Sequence, residues 1–197
     1  MLHFPHHVEL YRYWDAKRAG RLMPSRRDFD PCEIPALLPH LMIVDKLEDR
    51  FRYRLVGTAV VEDMGRDLTG LFVGDSVSPS EYAAAYRAGF EQVWTSGRPI
   101  FSTSQYQPTS RNVRAASRLL LPLGEDEHNT NRIVLSGISC HACPKPETAE
   151  LSSGAVPGRI GDCVEITGIE DVLALSANWE RKSPTGLGVG KIHLPGV

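Results

Sequence analysis

Two thiols three residues apart, Cys140-His-Ala-Cys143, are the side chains best suited by type to do chemistry. Such a pair can chelate one metal ion or cycle as a redox couple. Haem attachment needs a histidine after the second cysteine, whereas His141 lies between the two. A zinc site needs two further ligands. Cys32, Cys163 and His141 are available, but no second paired motif accompanies the first. The spacing therefore favours Cys140 as a strand residue and Cys143 as a loop thiol, with thiol redox or metal binding at Cys140 and Cys143 as the alternative function. His3, His6 and His7 belong to a terminus expected to fray. Ser25, Ser136 and Ser139 have no Gly-x-Ser-x-Gly elbow around them. Glu62-Asp63 and Glu125-Asp126-Glu127 read as solvated faces. Gly186-Leu-Gly-Val-Gly190 lacks the Lys-Ser/Thr ending of a phosphate loop. No nucleophile, base and orienting group stand at a recognisable spacing, so no catalytic residue is expected.

Binding is the stronger expectation. Tyr82, Tyr86, Phe90 and Val93 recur at helical spacing and form either a core face or a cavity wall. Tyr53 alternates with arginines in a strand and offers both a ring and a hydroxyl. Later strands add hydroxyls and leucines. The expected ligand-binding set is Tyr53, Tyr86, Phe90, Val93, Ser104, Ser117 and Leu119, with Leu121, Ser102 and Ser136 as alternatives. Which serines point inward depends on register, since a one-residue slip moves every side chain to the other face. This mixture suits a mostly apolar small molecule carrying few polar atoms. No phosphate cradle or axial ligand suits a nucleotide or haem, and no cofactor is identified. A solid core built from the same aromatics is the competing reading. Arg52 and Arg54 share the opposite strand face, which is either solvent-exposed or supplies acids; structural ion pairing is expected there, with Asp45 on the neighbouring strand as one candidate partner.

These side chains depend on a definite order of elements. Residues 8–19 read as a helix with Val8, Leu10, Tyr11 and Trp14 on its apolar side, ended by Gly20. Pro24, Pro31, Pro35 and Pro39 forbid a continuous element in the next stretch, though Asp30-Pro31 can start a single turn. Leu41 to Asp45 and Phe51 to Val56 form an antiparallel strand pair across a charged connection. A short helix over Ala59 to Met64 ends at Gly65, and Asp67-Leu-Thr-Gly70 makes a second break. Ser78-Pro79-Ser80-Glu81 caps the main helix, which Gly97 and Pro99 close. Three strands follow: Ile100 to Gln107, Ala115 to Leu123 and Arg132 to Cys140. Pro122 places its end near an edge or bulge. Beyond Cys140 a Pro- and Gly-rich stretch leads to a short strand at Asp162 to Ile166, a helix at Ile169 to Trp179 and an irregular tail.

The chain has 197 residues and a net charge of −2 with mixed signs, which gives no electrostatic footprint for nucleic acid. No apolar run approaches the ~20 residues of a membrane span. The N-terminus lacks the order of a signal peptide, so a cytoplasmic protein with reduced cysteines is expected.

Two strands, short helices, a long helix and three strands follow the order of a PAS domain. From about Tyr13 to Cys140 the chain resembles a PAS-like family of small alphaproteobacterial proteins, long catalogued as a domain of unknown function. The resemblance rests on Trp14 and Arg18, on Met23-Pro-Ser-Arg26 with Asp30-Pro31, on Leu37-Leu-Pro39, on Phe51-Arg-Tyr-Arg-Leu-Val-Gly57-Thr58, and on Asp67-Leu-Thr-Gly70. It implies an α+β fold, a five-stranded antiparallel sheet with helices on one face; the residues themselves add an N-terminal helix and an irregular C-terminal extension, and residues 141–197 lie outside the resemblance. It implies a sensory or interaction role and supplies no catalytic residue. The expected organisation is a lead-in over 1–40, a PAS-like core over 41–140 and an extension over 141–197. The expected function is a non-catalytic sensory or regulatory module in bacterial signalling that binds a small molecule or a protein partner. Output then passes through a downstream signalling protein. The apolar side of the leading helix further suggests a homodimer.

Overall fold

The computed structural model describes residues 4–75, 80–106, 113–125, 129–143 and 160–174. Six antiparallel strands form one sheet: β1 (Leu41–Leu47), β2 (Arg50–Val56), β3 (Ile100–Tyr106), β4 (Val113–Gly124), β5 (Thr130–Cys143) and β6 (Ile160–Glu165), in the order β2-β1-β5-β4-β3-β6. The five strands expected from the sequence are the first five, and β6 adds to the β3 edge. Helices α2 (Thr58–Met64) and α3 (Ser80–Ser96) belong to one face, and α1 (Phe4–Arg18) covers the other. No helix among the described residues is long and apolar enough to cross a membrane.

Alternation along the strands divides the core into two layers. Leu120, Leu135, Ile133, Ile100, Met42, Val44, Phe51 and Tyr53 face α3 and pack with Phe90 and Val93. Leu119, Leu121, Leu123, Val134, Ile43 and Phe101 face α1 and pack with Leu10, Tyr11 and Trp14. The apolar side of α1, the motive for the expected homodimer, is thus covered by its own sheet. Ile166 and Val172 from the C-terminal segment join this second layer, and residues 169–174 are helical. The short strand and the helix read from the sequence in this extension are both present, as far as residue 174.

Each motif of the resemblance has a local structural task. Ser25 bridges Gly124, the Arg26 amide donates to the Gly124 carbonyl, and the Gly124 amide donates to that of Pro24, which ties the lead-in to the end of β4. Asp30 caps a 3-10 turn over Pro31–Glu33 by accepting from the Cys32 amide at 2.9 Å, and a second such turn spans Pro35–His40. Gly57 lies so close to that second turn that a Cβ would collide with the Leu38 and Pro39 carbonyl oxygens. Pro122 sits beyond the last β3–β4 pair, Ile100 with Leu120, so its missing N–H removes no bond from that ladder. Its carbonyl accepts from the Trp14 indole at 2.8 Å.

Of the terminus expected to fray, His6 and His7 lie in the first turns of α1, with Pro5 tolerated there because first-turn amides lack intrahelical acceptors, and His3 lies outside the described residues. Helix α3 ends at Gly97, whose φ of 65° takes the left-handed conformation favoured by glycine. Its expected cap, Ser78-Pro79, lies outside the described residues.

Candidate functional site

Strand β2 carries Phe51 and Tyr53 on the α3 side, while Arg52 and Arg54 project to the other face. The expected ion pair is present there. Arg52 grips Asp45 with Nε–Oδ1 at 3.1 Å and Nη2–Oδ2 at 2.8 Å, and Arg54 approaches the same carboxylate at 3.5 Å. This pairing holds Arg52 in its charged form, chiefly through the hydrogen bond to Asp45. The outer edge of β2 is fastened at Tyr53. Its amide donates to the Leu71 carbonyl at 3.0 Å, and its carbonyl accepts from Gly70 at 2.8 Å. Asp67-Leu-Thr-Gly70 makes this possible: Asp67 accepts from the Thr69 amide, Leu68 is buried, and Gly70 turns at φ 85°.

On α3, Tyr86, Phe90 and Val93 point toward the sheet. The Tyr53 and Tyr86 hydroxyls meet at 3.1 Å, and the Tyr86 ring packs edge-on against Phe90 at 5.3 Å. Burial, then the neighbouring Tyr86, drives the Tyr53 phenol well above its ordinary value, while Arg118 acts in the opposite sense. The Arg118 guanidinium stands 4.7 Å from the centre of the Tyr86 ring, a cation–π distance. Arg118 is flanked across the sheet by Ser102 on β3 and Gly137 on β5. Ser102 is itself buried. A half-buried cation with small residues on both sides is an uncommon feature of an apolar sheet face, and strand glycine marks places of close approach.

Tyr53, Tyr86, Phe90 and Val93 are thus brought together as expected. Ser117 and Leu119 are not. They project to the α1 face, because Leu119 pairs with Phe101 and Ser136, both of which face α1. The side chain of Ser104 lies outside the described residues, although its backbone pairs with Ala116. Cys140 and Cys143 both fall within β5. Cys143, expected in a loop, pairs with Val113 across a register shift. No group of three metal-ligating side chains occurs among the described residues.

Sequence reasoning passed over one residue of these clusters and misplaced another. Arg118 was passed over. Strand alternation with Leu120 is the signal that puts it on the α3 face. His7, expected in a fraying terminus, is instead fully buried on the α1 face. One of its ring nitrogens meets the Ser136 hydroxyl and the other meets that of Ser117 at 3.0 Å.

An antiparallel sheet with α3 over a tyrosine–arginine cluster and a leading helix on the reverse face defines a sensor-type α+β domain. A family model of the PAS domain matches residues 2–137, more than half of the sequence, and the chain belongs to the PAS-domain family. Among solved structures, the PAS domain of Bordetella pertussis BvgS is similar with a TM-score of 0.43 and 14% identity, over 78% of this chain and 98% of that one. No curated protein matches the chain.

Proposed function

We propose that this chain, a member of a family of generally non-catalytic sensory modules, senses a small molecule held between α3 and the sheet, with an acidic or strongly polar end at Arg118 and a flat or apolar body along Phe90 and Val93. The observation that carries this reading is the seating of Arg118 between Ser102 and Gly137, beside the joined Tyr53 and Tyr86 hydroxyls. A planar guanidinium binds a carboxylate through two parallel hydrogen bonds, and the phenols can direct a third. Ligand sites combine few convergent polar groups with an apolar wall in this way. Ser104 is a further expected contact on β3. The module does no chemistry of its own in this proposal, acts in the cytoplasm and passes its signal to a downstream signalling protein.

The test is thermal unfolding against matched aromatic and aliphatic carboxylates and their amides, with native mass spectrometry of the protein as purified. A carboxylate at about a hundredfold its Kd stabilises by about 2.7 kcal/mol. The amide gives little, and Arg118→Gln removes the difference. No co-purifying mass and no carboxylate-selective stabilisation would reject the proposal.

A further inference from the structure

Helix α1 lies over β4 and β5. Beyond Ile43 the same face continues onto the β1–β2 hairpin and stays open to solvent, with Leu47 43% exposed and Leu55 38%. Leu55 reaches this face through a bulge. Val44 pairs with Tyr53 and Ile43 with Leu55, so Arg54 has no opposite residue, and Leu55 joins Ile43 on the α1 side instead of Tyr53 on the α3 side. Leu47 shares the face by alternation with Ile43 and Asp45. Leu55 lies opposite Ile43, four steps before Leu47, so the two leucines stand roughly 13 Å apart along the strands.

The strip between them carries opposite charges at its ends. Next to Leu47 the turn exposes Glu48 and Asp49, and neither carboxylate forms a hydrogen bond or ion pair among the described residues. Glu48 takes φ 55°, where glycine is ordinary, so an acid is kept there against its conformational preference. Arg50 beside them is already taken by Asp75. Next to Leu55 stands Arg54, 54% exposed. Arg52 holds Asp45 through two hydrogen bonds, and Arg54 reaches the same carboxylate only at 3.5 Å. Two guanidiniums share one carboxylate, which leaves a positive charge over at that end.

We propose that this strip joins two copies of the chain, the β1–β2 hairpins packing face to face about a two-fold axis that crosses the strands at the Asp45–Arg52 pair. That axis exchanges the ends of the strip. It sets Leu47 beside the partner's Leu55, and Glu48 and Asp49 beside the partner's Arg54, and each contact occurs twice. The opposite orientation would bring like charges together, so the charges select one arrangement. Two seven-residue strands offer less surface than a standard interface, so the pairing is weak and reversible. Tyr53 lies on the same strand and faces α3, so β2 belongs to the pairing surface and to the ligand face at once.

Sedimentation velocity of the full chain, over a concentration range ending at high micromolar, should show a reversible monomer–dimer equilibrium that weakens with salt. Arg54→Glu makes both ends of the strip acidic, and Glu48→Arg with Asp49→Arg makes both basic. Each change should weaken self-association by at least about tenfold. An equimolar mixture of the two variants should restore pairing as a heterodimer, because unlike charges then meet at both contacts. A wild type that is monomeric throughout, a variant that associates as the wild type does, or a mixture that stays monomeric overturns the proposal. Should a variant fail to fold, the conservative Arg54→Lys decides. A zero-length carbodiimide joins the new amine to a touching carboxylate, and the length of β2 keeps position 54 away from the turn of its own chain. A covalent dimer linked from position 54 to Glu48 or Asp49 supports the pairing. A covalent dimer without that link, or no covalent dimer, overturns it.

Discussion

Tyr53 carries a phenol into the core because Tyr86 meets it there. Removing one hydroxyl leaves the other buried without its partner, a loss of roughly 1–3 kcal/mol. Tyr86→Phe should therefore lower unfolding free energy by about that much in a denaturant titration. The double variant Tyr53→Phe, Tyr86→Phe should lose less than the two single variants added together, because no orphan hydroxyl remains. Additive losses would mean that the pair is not coupled. Tyr53 was legible because Phe51 and Tyr53 alternate with arginines, and Asp45 was legible because a buried-side acid beside two arginines answers their charge. His7 was not. Nothing in Met-Leu-His-Phe-Pro-His-His signals burial, since its partners lie 110 and 129 residues away. Ser117 and Leu119 went to the wrong face for a related reason. Composition gives the strand, but only the ladder to Phe101 and Ser136 fixes its parity.

Among the elements, the turns were easier to place from sequence than the pairings. Gly65, Gly70 and Gly97 all take positive φ where the sequence marks an end or break. Gly57 has another purpose, and only the structure reveals it: its φ is −67°, so conformation alone would admit alanine. The constraint comes from the carbonyls of Leu38 and Pro39 pressed against its Cα. Backbone cannot swing aside as a flexible side chain can. Gly57→Ala should thus cost at least the ~1–3 kcal/mol of an overpacked core, with the loss seen as a lower denaturation midpoint at unchanged slope. Gly65→Ala, with open space around its Cβ and only the positive φ to oppose it, is the control and should cost less. Strand β6 shows the limit of local reading. Its existence could be read from Asp162 to Ile166, but its pairing with β3, some sixty positions back, depends on a free edge that no local pattern records.

The molecule as a whole is a sheet with different tasks on its two faces. The α3 face holds the tyrosine–arginine cluster, and the α1 face holds the His7 cluster, α1 itself and the segment that carries Ile166 and Val172. Ser117 and Arg118 are consecutive on β4 and serve opposite faces, so a shift of that strand acts on both. The same layering decides what α1 is for. Leu10, Tyr11 and Trp14 are buried to 2% exposure or less inside one chain. Each contributes roughly 1.5–3 kcal/mol by burial, together a large part of the 5–15 kcal/mol that stabilises a typical domain. A variant lacking residues 1–20 should therefore not behave as a well-folded monomer released from a dimer. It should bind a hydrophobic dye, lose most of its cooperative unfolding and aggregate, because Leu119, Leu121 and Val134 lose their cover. Ile166 and Val172 should lose protection with it, since they pack in the same layer. Light scattering, dye binding and hydrogen exchange on full-length and shortened chains measure this directly. A shortened chain that stays folded and monomeric, paired with a full-length dimer, would return α1 to the role of a dimer contact and refute its assignment as the cover of its own sheet.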